Sequence, residues 1–128
     1  MAKVILADKA GFCFGVDRAI KLIEELIAQG KSVATLGPII HNQQVIDDLG
    51  RKGVKVVESA EETEKGTTLV LRTHGVTREV LKSVENNGCE FIDAACPLVN
   101  KIHKIVLDNS SEDVATIIAG DSNHPEVK

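Results

Sequence analysis

The chain has 128 residues, 43% of them hydrophobic and 27% charged, with a formal net charge of −4; this is ordinary globular usage for about one domain and sets aside disordered and fibrous classes. Acids and bases are mixed, and three phenylalanines are the only aromatic residues, so no basic stripe or stacking platform points to nucleic acid. No apolar run approaches the ~20 residues of a membrane span, and the opening "MAKVILADK" lacks the long apolar stretch of a secretory signal, so the expected compartment is cytoplasmic, with no membrane partner.

In chain order, "KVILA" at 3 to 7 is a short β-branched apolar run that predicts a strand. A glycine-bearing loop follows, and then Val16, Ile20, Ile23 and Ile27 fall at helical spacing up to Gly30. "SVATLG" (32 to 37) predicts a second strand before the helix-like "NQQVIDDLGRKG", and "VKVVE" (54 to 58) a third. "TTLVLRTHG" (67 to 75) leads into "VTREVLKSVENNG". After these come "EFIDAA" (90 to 95), the helix-like "PLVNKIHKIVLDN" and a last strand-like run, "DVATIIAG" (113 to 120). Short apolar strands alternating with amphipathic helices predict an α/β fold, a parallel sheet flanked by helices, because parallel neighbours need a crossover. About five strands precede Pro97, whereas one helix and one strand follow it, too little for a core of its own.

Three cysteines are an odd and sparse set. A secreted disulfide framework is therefore not expected, which leaves metal binding, reactivity or burial. Cys13, His41, His74, Cys96 and His124 each fall just after a predicted strand. In an open parallel sheet the carboxyl ends of the strands point one way, and ligands bind there beside helix N-termini. All five side chains are expected on that edge.

In "AGFCFGV" (10 to 16), Gly11 and Gly15 allow a tight turn and close backbone approach, while Phe12 and Phe14 can wall off water. Cys13 opens a helix, where aligned amide dipoles favour negative charge. In "AACPLV" (94 to 99), Pro97 suits the first helical position and puts Cys96 at the cap. Two thiols so placed could share a metal or an iron–sulfur cluster, or remain structural. Cys89 lies before "EFIDAA" and Cys96 after it, a separation of roughly 20 Å along a strand, so Cys89 is read as a packing residue. His103, mid-helix, is read as a surface or packing residue. His41, His74 and His124, with Arg72 nearby in sequence, suit an anion such as phosphate. Glu126 is a candidate to accept or deliver a proton.

Together, "AGFCFGVDRAI", "LGPIIHN", "RTHGV", "IDAACPLV" and "GDSNHPEV" closely resemble the amino-terminal part of the 4-hydroxy-3-methylbut-2-enyl diphosphate reductases, iron–sulfur enzymes that end the non-mevalonate isoprenoid route. Ala95 stands where a family form has Thr. The resemblance implies that Cys13 and Cys96 are two of three cysteine ligands to a [4Fe–4S] cluster, with the third outside this chain. It implies that His41, His74 and His124 contact the substrate, largely around its diphosphate, and that Glu126 relays the proton that helps the hydroxyl leave as water. The implied reaction is a two-electron reductive dehydroxylation giving isopentenyl and dimethylallyl diphosphates, with a ferredoxin or flavodoxin-type electron donor.

The family fold implied is three similar α/β domains around a central cluster. Residues 1–97 are then the first domain and 98–128 the truncated start of the second, and this portion alone is expected to be catalytically impaired. Two readings from the residues alone compete with it: a binding module for phosphorylated ligands without redox chemistry, and a zinc site of both thiols and a histidine.

Overall fold

A computed structural model describes residues 3–8, 10–122, 124 and 127. Four parallel strands form one sheet in the order β2-β1-β3-β4, namely β1 (Ser32–Leu36), β2 (Lys55–Val57), β3 (Thr67–Leu71) and β4 (Phe91–Asp93). Helix α1 (Phe14–Ala28) precedes β1, α2 (Gln43–Arg51) connects β1 to β2, and α3 (Arg78–Asn87) connects β3 to β4. A short 3-10 helix, Ala60–Glu62, stands between β2 and β3, and α4 (Pro97–Asn109) follows β4. The parallel α/β architecture predicted from the alternating pattern is the one observed.

β1 and β3 are the central strands, and both are covered on the two faces, so burial runs along them without alternating and takes in Thr35, Thr67 and Thr68 as well as the apolar residues. Val33 and Val70 join Ala19, Ile23 and Leu26 of α1 and Leu49 of α2 in one core cluster. Ala34, Leu36, Leu69 and Leu71 join Val57, Ala60 and Val84 of α3 in the other. Ala19, Ile23 and Leu26 recur at the spacing of one helix face, so α1 buries a single stripe. Cys89 packs against the second cluster, as its packing assignment anticipated.

Two expected strands are not formed. Residues 3 to 7 carry no strand, and Val4, Ile5 and Leu6 are 92%, 77% and 81% exposed. Residues 113 to 120 likewise form none, apart from one isolated antiparallel bridge from Ser111 to Val114. Both segments have strand composition, but a strand is stabilised by its neighbours, and neither joins an edge of the sheet. Among the described residues, four strands rather than five therefore precede Pro97. No described helix is long and apolar enough to cross a membrane.

The strand order also creates a switch point. From β1 the chain moves outward to β2 on one side, then returns to place β3 on the other. In such sheets the crevice lies at the carboxyl ends of the two strands where the order reverses. Here those ends are level: Leu36 is in register with Val57 and Leu71, and Leu71 with Asp93.

Candidate functional site

The loops leaving this level edge are laced to one another. Thr73, just past β3, is buried; its hydroxyl donates to the Ile39 carbonyl at 3.0 Å, which ties the loop after β3 to the loop after β1. The Cys96 amide donates to the Thr73 carbonyl at 2.9 Å, tying in the loop after β4. His41, next to Ile40 on the first loop, and His74, next to Thr73 on the second, meet with ring centroids 5.5 Å apart. His124 stacks on His74 at 6.1 Å, held in a turn by its own amide donating to Asp121 and its carbonyl accepting from Val127. Gly75 makes the sharp turn beside His74 possible: its φ is +79°, a conformation that side chains disfavour, and its amide donates to the Arg72 carbonyl at 3.0 Å.

The two cysteines stand at helix starts. Cys13 is the N-cap of α1 and Cys96 the N-cap of α4, with Pro97 in the first turn, and neither sulfur makes a capping hydrogen bond. By contrast, α2 and α3 are capped through the side chains of Asn42 and Thr77. Both thiols are free, Cys13 exposed and Cys96 half-buried. They approach through Gly15, two residues past Cys13: a Cβ on Gly15 would lie 2.6 Å from the Cys96 sulfur. The Cys96 thiol thus rests on the bare backbone of the first turn of α1. Free thiols at two adjoining helix starts, with one sulfur left open to solvent, form a donor set that fits an iron–sulfur cluster.

Some details differ from the sequence reading. Cys13 and His124 reach this edge without a preceding strand, because residues 3 to 7 and 113 to 120 are not paired; α1 carries Cys13 there, and a turn carries His124. Phe12 and Phe14 are 50% and 66% exposed and do not close the site. Arg72 braces its own turn, its Nε donating to the Gly75 carbonyl at 3.2 Å. His103 is exposed on α4, its Cε1 3.6 Å from where a Gly75 Cβ would stand, and with His74 and Ile102 it lines a cavity of about 510 Å³. Glu126 lies outside the described residues. Among those described, no three His, Cys, Asp or Glu side chains gather as a metal-holding set, so a complete zinc site of two thiols and a histidine is not assembled. Gly15, expected in a tight turn that allows close backbone approach, lies instead in the first turn of α1, and what approaches it is the Cys96 thiol, a contact the sequence did not reveal.

The profile of the family described as LytB protein matches residues 4–128. The chain belongs to the LytB family. Among curated LytB relatives, the 4-hydroxy-3-methylbut-2-enyl diphosphate reductase of Thermoanaerobacter sp. (strain X514) is 45% identical over 129 aligned positions, covering 98% of this chain and 45% of the relative. That of Aquifex aeolicus (strain VF5) is 43% identical, covering 99% and 44%. A solved structure of (E)-4-hydroxy-3-methyl-but-2-enyl diphosphate reductase, described as the terminal enzyme of the non-mevalonate pathway, superposes with a TM-score of 0.82 at 41% identity, over 99% of this chain and 45% of that one. The corresponding reductase structure from Plasmodium falciparum gives 0.85 at 32% identity, over 94% and 38%. This chain therefore spans a little under half the length of the curated LytB relatives it matches. Since these relatives are reductases, a module that only binds phosphorylated ligands is not favoured.

Proposed function

We propose that this chain supplies the amino-terminal part of a 4-hydroxy-3-methylbut-2-enyl diphosphate reductase, with Cys13 and Cys96 as two of the three cysteine ligands to a [4Fe–4S] cluster. The third ligand would come from the portion of the reductases that these 128 residues do not span. Residues 1–97 are read as a first α/β domain and 98–128 as the start of a second, and α4 burying none of its residues supports that division. The compartment proposed is cytoplasmic.

The overall change adds two electrons and two protons to (E)-4-hydroxy-3-methylbut-2-enyl diphosphate. The C–O bond to the hydroxyl breaks, water leaves, and isopentenyl or dimethylallyl diphosphate remains. When bound, the cluster supplies the electrons, received from a ferredoxin or flavodoxin-type donor, and Lewis acidity at the hydroxyl. The chain's own residues bind and orient: His41, His74 and His124 direct ring N–H donors at the diphosphate oxygens, and the laced loops hold those rings in place. Glu126 is assigned the proton that joins the leaving hydroxyl. This portion alone is expected to turn over poorly.

The single observation that carries the reading is the Cys96 sulfur seated on Gly15, two residues from Cys13, on the edge where His41, His74 and His124 meet. Anaerobic reconstitution with iron and sulfide tests it, applied both to this chain and to a full-length relative. A brown chromophore lost in Cys13→Ser and Cys96→Ser is expected; colourless protein in both cases would overturn the cluster assignment.

A further inference from the structure

Arg18 stands in the second turn of α1, three residues after Gly15 and so on the same helix face. Its Nη2 donates to the carbonyl oxygen of Ala95 at 2.7 Å, joining groups 77 residues apart. That carbonyl belongs to the peptide unit whose N–H is the Cys96 amide, which donates to the Thr73 carbonyl. A peptide unit is planar. Held at its oxygen by Arg18 and at its N–H by Thr73, it has little freedom left, and the Cα of Cys96 is fixed with it. Gly15 then meets the sulfur from the front. One face of α1 therefore touches the Cys96 turn twice, at the carbonyl behind the residue and at its thiol.

We infer that Arg18 is a positioning residue that sets where the Cys96 sulfur stands relative to Cys13, acting through the 95–96 peptide; the role rests on the reading of Cys96 as a cluster ligand. The arginine Nε is buried and makes no hydrogen bond, so the grip is delivered by Nη2 alone. Without that donor the carbonyl of Ala95, a buried residue, loses its partner and the peptide can turn. Lysine can offer one N–H to the same carbonyl and has no Nε to leave unpaired, so it separates the donor from the bulk of the side chain.

The test uses the metal-free 128-residue chain and site-resolved alkylation by iodoacetamide, read by mass spectrometry as the ratio of the Cys96 rate to the Cys89 rate. Cys89 packs on the far core cluster and reports general loosening. Arg18→Met is expected to raise the ratio by about tenfold, the equivalent of one charge-assisted hydrogen bond, and Arg18→Lys to return it close to the native value. An unchanged ratio in Arg18→Met, or an equal rise in both variants, overturns the inference. Should Arg18→Met unfold, with all thiols reacting alike, Arg18→Lys decides: a native ratio upholds the role and a raised one rejects it. Iron and sulfide reconstitution of the native chain runs beside this. The reconstitution is applied to a full-length relative as well, and colourless protein in both sinks the cluster reading without altering the alkylation result, so the two failures are distinguishable.

Discussion

Cys13 and Cys96 occupy cap positions where Asn42 and Thr77 show the usual arrangement, a side-chain oxygen accepting a first-turn amide. Sulfur is a weak acceptor, and neither thiol makes the bond. A serine at Cys13 meets an extended backbone already suited to capping, so Cys13→Ser is expected to stabilise the fold by about 0.5–1 kcal/mol while abolishing the iron chromophore; denaturant titration and iron analysis on the same sample check both. Gly15 reads the other way. Alanine is the better helix former by up to about 1 kcal/mol, yet its Cβ would meet both the sulfur and the Cβ of Cys96, at 2.6 and 3.0 Å. Rotating the thiol cannot relieve both contacts, and overpacking costs roughly 1–3 kcal/mol. Gly15→Ala is expected to lower stability by roughly 1–2 kcal/mol and to reduce iron uptake, measured by calorimetry and iron analysis.

At the level of elements, the helices and the four paired strands were legible because their signals are local: one apolar stripe for α1, and short β-branched runs for β1 and β3. Residues 3 to 7 and 113 to 120 look the same by composition but have no neighbour to bond, and nothing in their own letters reveals that. The start of β4 is held laterally by Glu90, which accepts from Lys31 Nζ at 2.6 Å and from the Thr68 hydroxyl at 3.2 Å. The hydrogen bond from Lys31, then its charge, holds the Glu90 carboxyl below the ordinary glutamate value of 4.5. A carboxyl depressed in the folded state contributes stability that is complete above its unfolded pKa and is lost as pH falls through the folded one. Stability should therefore decline on acidification below about pH 4.3, more gently in Glu90→Gln, with salt reducing the difference. Urea titrations at pH 6 and pH 3.5 in low and high salt check this; an identical acid loss in the variant would exclude Glu90 as a contributor. Glu64, lowered chiefly by its hydrogen bond with Lys55, titrates in the same direction.

For the whole molecule, the accessible surface is 9203 Å², against about 6,600 Å² for a compact monomer of this mass. Much of the excess is apolar and lies outside the sheet layers: Val4, Ile5 and Leu6 before α1, Leu98, Ile102 and Ile105 along α4, and Ile117 beyond it. A chain spanning under half of its relatives and exposing such faces should self-associate when isolated. Sedimentation velocity is expected to show a concentration-dependent increase in size, reduced in Leu98→Lys with Ile105→Lys, and proteases should cut within 110–122 before any site in β1 to β4. A single monomeric species at high concentration, protease-resistant throughout, would contradict this.

The sequence by itself determined the α/β class, the helix starts at Cys13 and Cys96, and the family, because periodicity, cap residues and each motif are short local patterns, and the order of the motifs can be read along the chain without knowing what touches what. Tertiary structure decided which runs become strands and which groups touch. The imidazoles of His41 and His74 meet because β1 and β3 are neighbours with level ends, a turn brings His124 onto His74, and Cys96 reaches α1 because Thr73, Arg18 and Gly15 surround its turn. Such contacts join residues remote along the chain, and the strand order that brings them together is fixed only when the two cores pack.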